Sequence, residues 1–152
     1  MRRLRRRSMT TILTPVLAIF FVSTLALGQT GAENPGFMAA KGRVTFKTYC
    51  ASCHGPKATG DGELSQYLTV EPADLTQIEK KHGGEFPEEL IQKIVDGRQD
   101  VRGHGGDEMP VWGDVFQSPL AASSAGAGLD GEERAQMKIR ELVFYLQSIQ
   151  VE

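Results

Sequence analysis

The 152-residue chain holds two cysteines, Cys50 and Cys53, and a histidine follows the second at once. The run Cys50-Ala51-Ser52-Cys53-His54 constrains the chain more than any other feature. Two cysteines this close cannot staple a small scaffold, because a disulfide framework needs more of them, spread along the sequence. The pair is therefore redox-active, metal-binding or cofactor-linking. A thioredoxin-like dithiol expects a βαβ pattern around it, and none is visible. A zinc site expects a second pair of soft ligands. Outside the run only His82 and His104 remain as candidates.

The spacing C-x-x-C-H reads instead as an attachment site for haem c. Two thiols at this separation can each add to one vinyl group of the same porphyrin, and the next residue then offers its imidazole to the iron. A second axial ligand would close the iron against gases and water. Four side chains are candidates: Met109, His104, His82 and Met137. His82 follows Lys80-Lys81 and reads as solvated, and Met137 lies among polar residues of a helix. Met109 sits in Asp107-Glu108-Met109-Pro110-Val111-Trp112-Gly113, read as a non-helical loop stiffened by proline. His104, in a Gly-rich stretch, is its rival. Methionine would raise the haem potential relative to a second histidine.

The first 28 residues read as a leader rather than part of the fold. Arg2, Arg3, Arg5, Arg6 and Arg7 form a basic n-region, Ile12–Leu27 is apolar, and Ala26-Leu27-Gly28 offers a small-residue cleavage site. A membrane anchor is the alternative, but the stretch falls short of the roughly 20 residues a spanning helix wants, and Pro15 interrupts it. The expectation is export to the bacterial periplasm, with membrane contact only if the leader is retained. Five of the 17 basic residues lie in the leader, so 12 remain against 19 acidic, a net charge of −7. Such a domain does not suit nucleic acid or anionic lipid; it suits a basic protein partner or a merely well-solvated surface.

Residues 29–152 then form one domain, with no strand pattern and no repeat, so the expected class is all-α. Residues 29–35 read as a flexible start. A helix follows over Gly36–Cys50 despite Gly42, which signals close packing against its backbone. The stretch 54–85 is turn-rich, with short helices at best over Leu64–Val70 and Ala73–Ile78. Pro87 opens a helix with Glu88 and Glu89 in its first turn; Leu90, Ile91, Ile94 and Val95 form its stripe and Gly97 ends it. Residues 118–128, rich in Ala, Ser and Gly, read as a loop. Asp130 and Glu133 then form a capping box, and Ile139, Leu142, Val143, Leu146 and Ile149 the buried face of a last helix. Glu63, Asp74 and the other carboxylates read as surface and capping groups.

These pieces together resemble class I monohaem cytochromes c of the bacterial cell envelope. The resemblance runs from around Gly36 to the C-terminus, apart from residues 118–128. It is carried by Gly42 and Phe46 before the attachment run, by Tyr49 to Gly55 and Gly60-Asp61-Gly62, and by Pro72-Ala73-Asp74-Leu75. Gly97-Arg98, Met109-Pro110-Val111-Trp112 and Leu142 to Leu146 complete it. It implies the class I fold, short helices and loops around one haem bound through Cys50 and Cys53, with His54 and Met109 on the iron. It implies that the first and last helices cross, Gly42 and Phe46 against Leu142 and Tyr145, and that Trp112 packs near a haem edge. Arg98 and His104 are left as candidates for the haem carboxylates. The implied function is electron transfer between redox proteins, not catalysis. A haem subunit of a larger oxidoreductase is the alternative, and an open-site ligand-binding haem a more distant one.

Overall fold

A computed structural model describes residues 34–99, 109–121 and 128–151. The expected leader, His104 and most of the 118–128 loop lie outside them. The described residues form helices and turns with no strand, and belong to the compact unit Ala32–Glu152. None of their helices is long and apolar enough to cross a membrane.

Helix α1 (Pro35–Tyr49) starts earlier than the sequence suggests. Asn34 accepts hydrogen bonds from the amides of Gly36 and Phe37 at 2.9 and 3.3 Å, and Pro35 takes the first turn. An Asn cap followed by Pro satisfies or removes the donors a helix start leaves orphaned. The last two residues of the expected flexible start are thus helix cap and first turn. At the other end of the chain, α6 (Gly131–Ser148) has the expected capping box. Asp130 accepts from the Glu133 amide at 2.8 Å, and the Glu133 carboxylate accepts from the Asp130 amide at 3.0 Å.

The crossing of α1 and α6 frames the domain. A Cβ on Gly42 would strike the carbonyl of Glu141 and lie 2.9 Å from the Cα of Leu142, so only glycine permits this approach. One turn on, the rings of Phe46 and Tyr145 meet with centroids 5.2 Å apart. Ile139, Leu142, Val143 and Leu146 are buried as expected, whereas Ile149 is half-buried just past the helix end. Glu141 departs from the surface role expected of the carboxylates. It is 5% exposed and bound to Lys41 at 2.7 Å. A buried carboxylate is tolerated when a cation partners it, and the partner lies 100 residues away in sequence.

Helix α4 (Glu88–Asp96) follows the predicted stripe, with Ile91 and Val95 buried and Leu90 and Ile94 half-buried. Pro87 caps it rather than occupying its first turn, and Gly97 closes it at φ +88°, where a side chain would collide with Val111. The segment after Met109 differs from expectation. Trp112–Gln117 is a short helix, α5, not a loop. Phe116 is fully buried there, Trp112 stacks on it at 5.5 Å, and Tyr49 meets both rings edge-on at 5.7 and 5.4 Å. Six residues are too few to show periodicity, and packing supplies the helix with what propensity does not. Turns fill the rest: a one-turn α2 (Ala51–His54), 3-10 turns at Ser65–Tyr67 and Leu75–Gln77, the one-turn α3 (Ile78–Lys81), and Pro119–Ala121. The turns at Ser65–Tyr67 and Leu75–Gln77 fall where the sequence allows short helices, whereas α3 runs on past Ile78 and Pro119–Ala121 lies in the segment read as a loop.

Candidate functional site

The attachment run begins where α1 ends. The Cys50 amide still donates to Phe46, and α2 turns the chain so that Cys53 and His54 donate to the Cys50 carbonyl at 3.1 and 2.9 Å. The remaining carbonyls of this turn are also engaged. Ala51 accepts from Gly55 at 2.9 Å, Ser52 from Leu64 at 2.9 Å, Cys53 from Gly62 at 3.1 Å and His54 from Gly60 at 2.9 Å. The glycine loop after the motif therefore folds back over it and satisfies acceptors that a one-turn helix leaves open. Gly62 must be glycine, because a Cβ would run into the Ser52 and Cys53 backbone. Gly60, at φ +88°, lies equally close to the Pro72 carbonyl. Through that contact, and the Leu75 amide donating to Ala58 at 2.8 Å, the loop fixes the segment that faces His54.

That segment orients the imidazole. His54 is buried, 6% exposed, with Nδ1 3.1 Å from the Ala73 carbonyl oxygen. A carbonyl only accepts, so the proton sits on Nδ1 and Nε2 keeps its lone pair. Burial pushes the imidazole below its ordinary 6.5, against the opposing pull of the Ala73 bond. The ring is thus held neutral, in the tautomer a metal requires.

The cysteines are unpaired with each other. Burial, reinforced by the charge Cys53 would carry, pushes the Cys50 thiol up to about 12. A redox dithiol depends on a lowered thiol pKa, and Cys50 is pushed the other way. Zinc fares no better. Among the described residues, no three His, Cys, Asp or Glu side chains cluster as metal ligands would.

Two cavities adjoin the motif, of about 300 and 280 Å³. Both are lined by Cys50, His54, Ala73, Met109 and Trp112, so they are two halves of one crevice. Protein interiors do not hold voids of this size without an occupant. The crevice is mostly apolar: the first half adds Tyr49, Leu68 and Val70, the second Phe46, Ile91 and Leu142. Trp112 is 8% exposed, and its indole Nε1, fully buried, lacks a hydrogen-bond partner. A buried N–H of this kind points to an acceptor on whatever fills the space. Both cysteines, a neutral histidine, a thioether and an orphaned donor around a mostly apolar crevice fit a haem.

Cys50, Cys53, His54 and Met109 thus meet at one crevice, with Trp112 where the resemblance puts it. Arg98 does not line it; its guanidinium is taken by Asp96 and, at 3.4 Å, by Glu132. Met137 lies half-buried on α6 and lines neither half. His82 is exposed, as expected, yet reaches the rim of the second half, with Nδ1 donating to Ile78 at 2.7 Å. Sequence reasoning missed the Ala73 carbonyl. No residue type announces a backbone acceptor, and only the position of Pro72-Ala73 between two turns hints at it.

A family model described as cytochrome C oxidase, cbb3-type, subunit III matches residues 37–120. That span covers the attachment run, Met109 and α5. No curated protein and no solved structure matches the chain.

Proposed function

We propose, for a chain that belongs to the cbb3-type cytochrome c oxidase subunit III family, a carrier of single electrons on one haem c. Its members are c-type cytochrome domains, and haem-based electron transfer is their chemistry. In the proposed site Cys50 and Cys53 would hold the haem through thioethers, and His54 Nε2 and Met109 Sδ would hold its iron. The observation that carries this reading is the His54 tautomer. Its Nδ1 proton is tied to Ala73, and its free nitrogen belongs to a crevice that Met109 and both cysteines also line.

When bound, the haem supplies a one-electron iron couple. The chain's own residues do the rest. The Ala73 carbonyl fixes the imidazole plane and raises its basicity. Phe46, Ile91, Val95, Leu142 and Leu146 keep the inner half of the crevice dry, which disfavours extra charge on the iron. Ser52 is exposed and Cys53 half-exposed, so the crevice approaches solvent on that side, where electrons can enter and leave.

Export to the periplasm belongs to the same reading, since thiols and haem are joined outside the cytoplasm and the N-terminal residues have the composition of a leader. The family description also supports a second reading, a haem subunit within a larger oxidoreductase. Co-purification with a catalytic partner would favour it. A monomer exchanging electrons with several donors would count against it. For the haem itself, acid–acetone extraction decides. The colour stays with the polypeptide if Cys50 and Cys53 carry it, and leaves if they do not.

A further inference from the structure

Between Lys57 and Lys80 the chain has no lysine or arginine but five carboxylates, Asp61, Glu63, Glu71, Asp74 and Glu79. This stretch wraps the outer half of the crevice, where Leu68, Val70 and Glu71 join Ser52 and Cys53 in the lining. None of the ion pairs among the described residues involves these carboxylates. Asp61 and Asp74 are engaged internally, accepting from the hydroxyls of Thr59 and Thr76 at 2.7 and 2.6 Å. Glu63 and Glu71 are exposed with no such bond.

Between these two glutamates stand Leu64 and Tyr67, 47% and 76% exposed. Large apolar side chains left in water beside such a crevice mark a contact surface when the backbone beneath them is fixed. Here it is. The Leu64 amide donates to Ser52 at 2.9 Å, the Tyr67 amide to Leu64 at 3.0 Å, and the Ser65 hydroxyl to Gly62 at 2.7 Å. Another strongly exposed aromatic ring, Phe37, already has the Lys41 ammonium over its face at 5.0 Å. Among the described residues no cation lies over the Tyr67 ring, and a ring face in water suits a partner's arginine or lysine.

We propose that residues 61–74 form the docking surface for a basic protein partner, with Leu64 and Tyr67 at its centre and Glu63 and Glu71 on its rim. The proposal rests on the electron-carrier reading and deepens it. A partner presenting lysines or arginines around an apolar centre would complement this face and be steered to the side where the crevice nears solvent. Steering of this kind depends on the local carboxylates, not on net charge alone.

The test titrates the haem-loaded, isotope-labelled protein with a decalysine peptide and follows the backbone amides. Shifts concentrated on residues 61–74 and fading at high salt are expected. Glu63→Gln with Glu71→Gln weakens peptide binding about three- to tenfold, the size that two exposed charge pairs support. The pair Glu88→Gln and Glu89→Gln removes the same charge from residues that line neither half of the crevice, and changes binding by less than about twofold. Shifts centred elsewhere, or equal weakening by both double variants, would overturn the proposal. Shifts at 61–74 on concentrating the protein without peptide would make the occupant a second copy and overturn it too. A haem-loaded protein lacking a reversible one-electron couple sinks the carrier reading whatever the shifts do. A normal couple with shifts elsewhere sinks the docking surface alone.

Discussion

The two walls of the crevice are built by different means. On the His54 side, every carbonyl from Cys50 to His54 accepts a backbone hydrogen bond, four of them from the turn that follows, and the imidazole is tied to Ala73. On the Met109 side, the methionine precedes a short helix held by three aromatic rings, Trp112, Phe116 and Tyr49, and by Val111 against Gly97. One wall is fixed by directional bonds at short range, the other by packing. Directional bonds fail abruptly when geometry is disturbed, whereas packing yields by degrees.

The largest expected effect tests the bonded wall. Gly62→Ala places a methyl against the Ser52 and Cys53 backbone, which cannot move without breaking the turn. A loss of about 3–5 kcal/mol, with poor haem loading, is expected in denaturant unfolding of the haem-loaded protein. Gly42→Ala, which meets the Glu141 carbonyl in the same way, serves as the comparison in the helical frame. On the packed wall, Trp112→Ala should cost about 3 kcal/mol through its cavity. Trp112→Phe keeps most of the stack and should cost about 1 kcal/mol or less. If Trp112→Phe proves as damaging as Gly62→Ala, the two walls do not differ as described.

A further test is a pH slope. Folding raises the Cys50 thiol from 9.0 to about 12, so above pH 9 the native chain holds a proton the unfolded chain has lost. Stability is therefore fully present below pH 9 and falls as the pH climbs toward 12. A haem-free chain should show this loss, and Cys50→Ala should remove that part of it. A thioether carries no proton, so the haem-loaded chain should lack the Cys50 contribution altogether. An identical alkaline slope in the loaded wild type and in the haem-free chain would count against a covalent link at Cys50.

Much of this was legible in the sequence wherever the cause is local. The Asp130–Glu133 box, the Gly97 stop and the stripe of α4 depend on neighbours within one turn, and they stand where read. Gly42 was legible as a close approach and Leu142 as a neighbour through the resemblance, although the Glu141 carbonyl was not. The misses share a physical reason. Helix α5 exists because Phe116 and Trp112 have a core to enter, and the burial of Glu141 depends on Lys41 at the far end of the domain. Arg98, one candidate for a haem carboxylate, is engaged instead by Asp96 and Glu132, the latter far off in sequence. Asn34 is the exception: its Asn-Pro signal is local, but it sits in a stretch whose composition is that of a linker. At the site, the motif residues were legible by type, but the Ala73 carbonyl that decides the His54 tautomer was not.

The central claim is that Met109 closes the iron opposite His54. The direct measurement is the visible spectrum of the oxidised, haem-loaded protein and of Met109→Ala, followed by carbon monoxide addition to the reduced forms. The account predicts the weak far-red absorption of a methionine–iron bond in the wild type and its loss in the variant. It also predicts rapid carbon monoxide binding by the variant alone. A wild type without that absorption, whose ferrous form binds carbon monoxide rapidly, would contradict it.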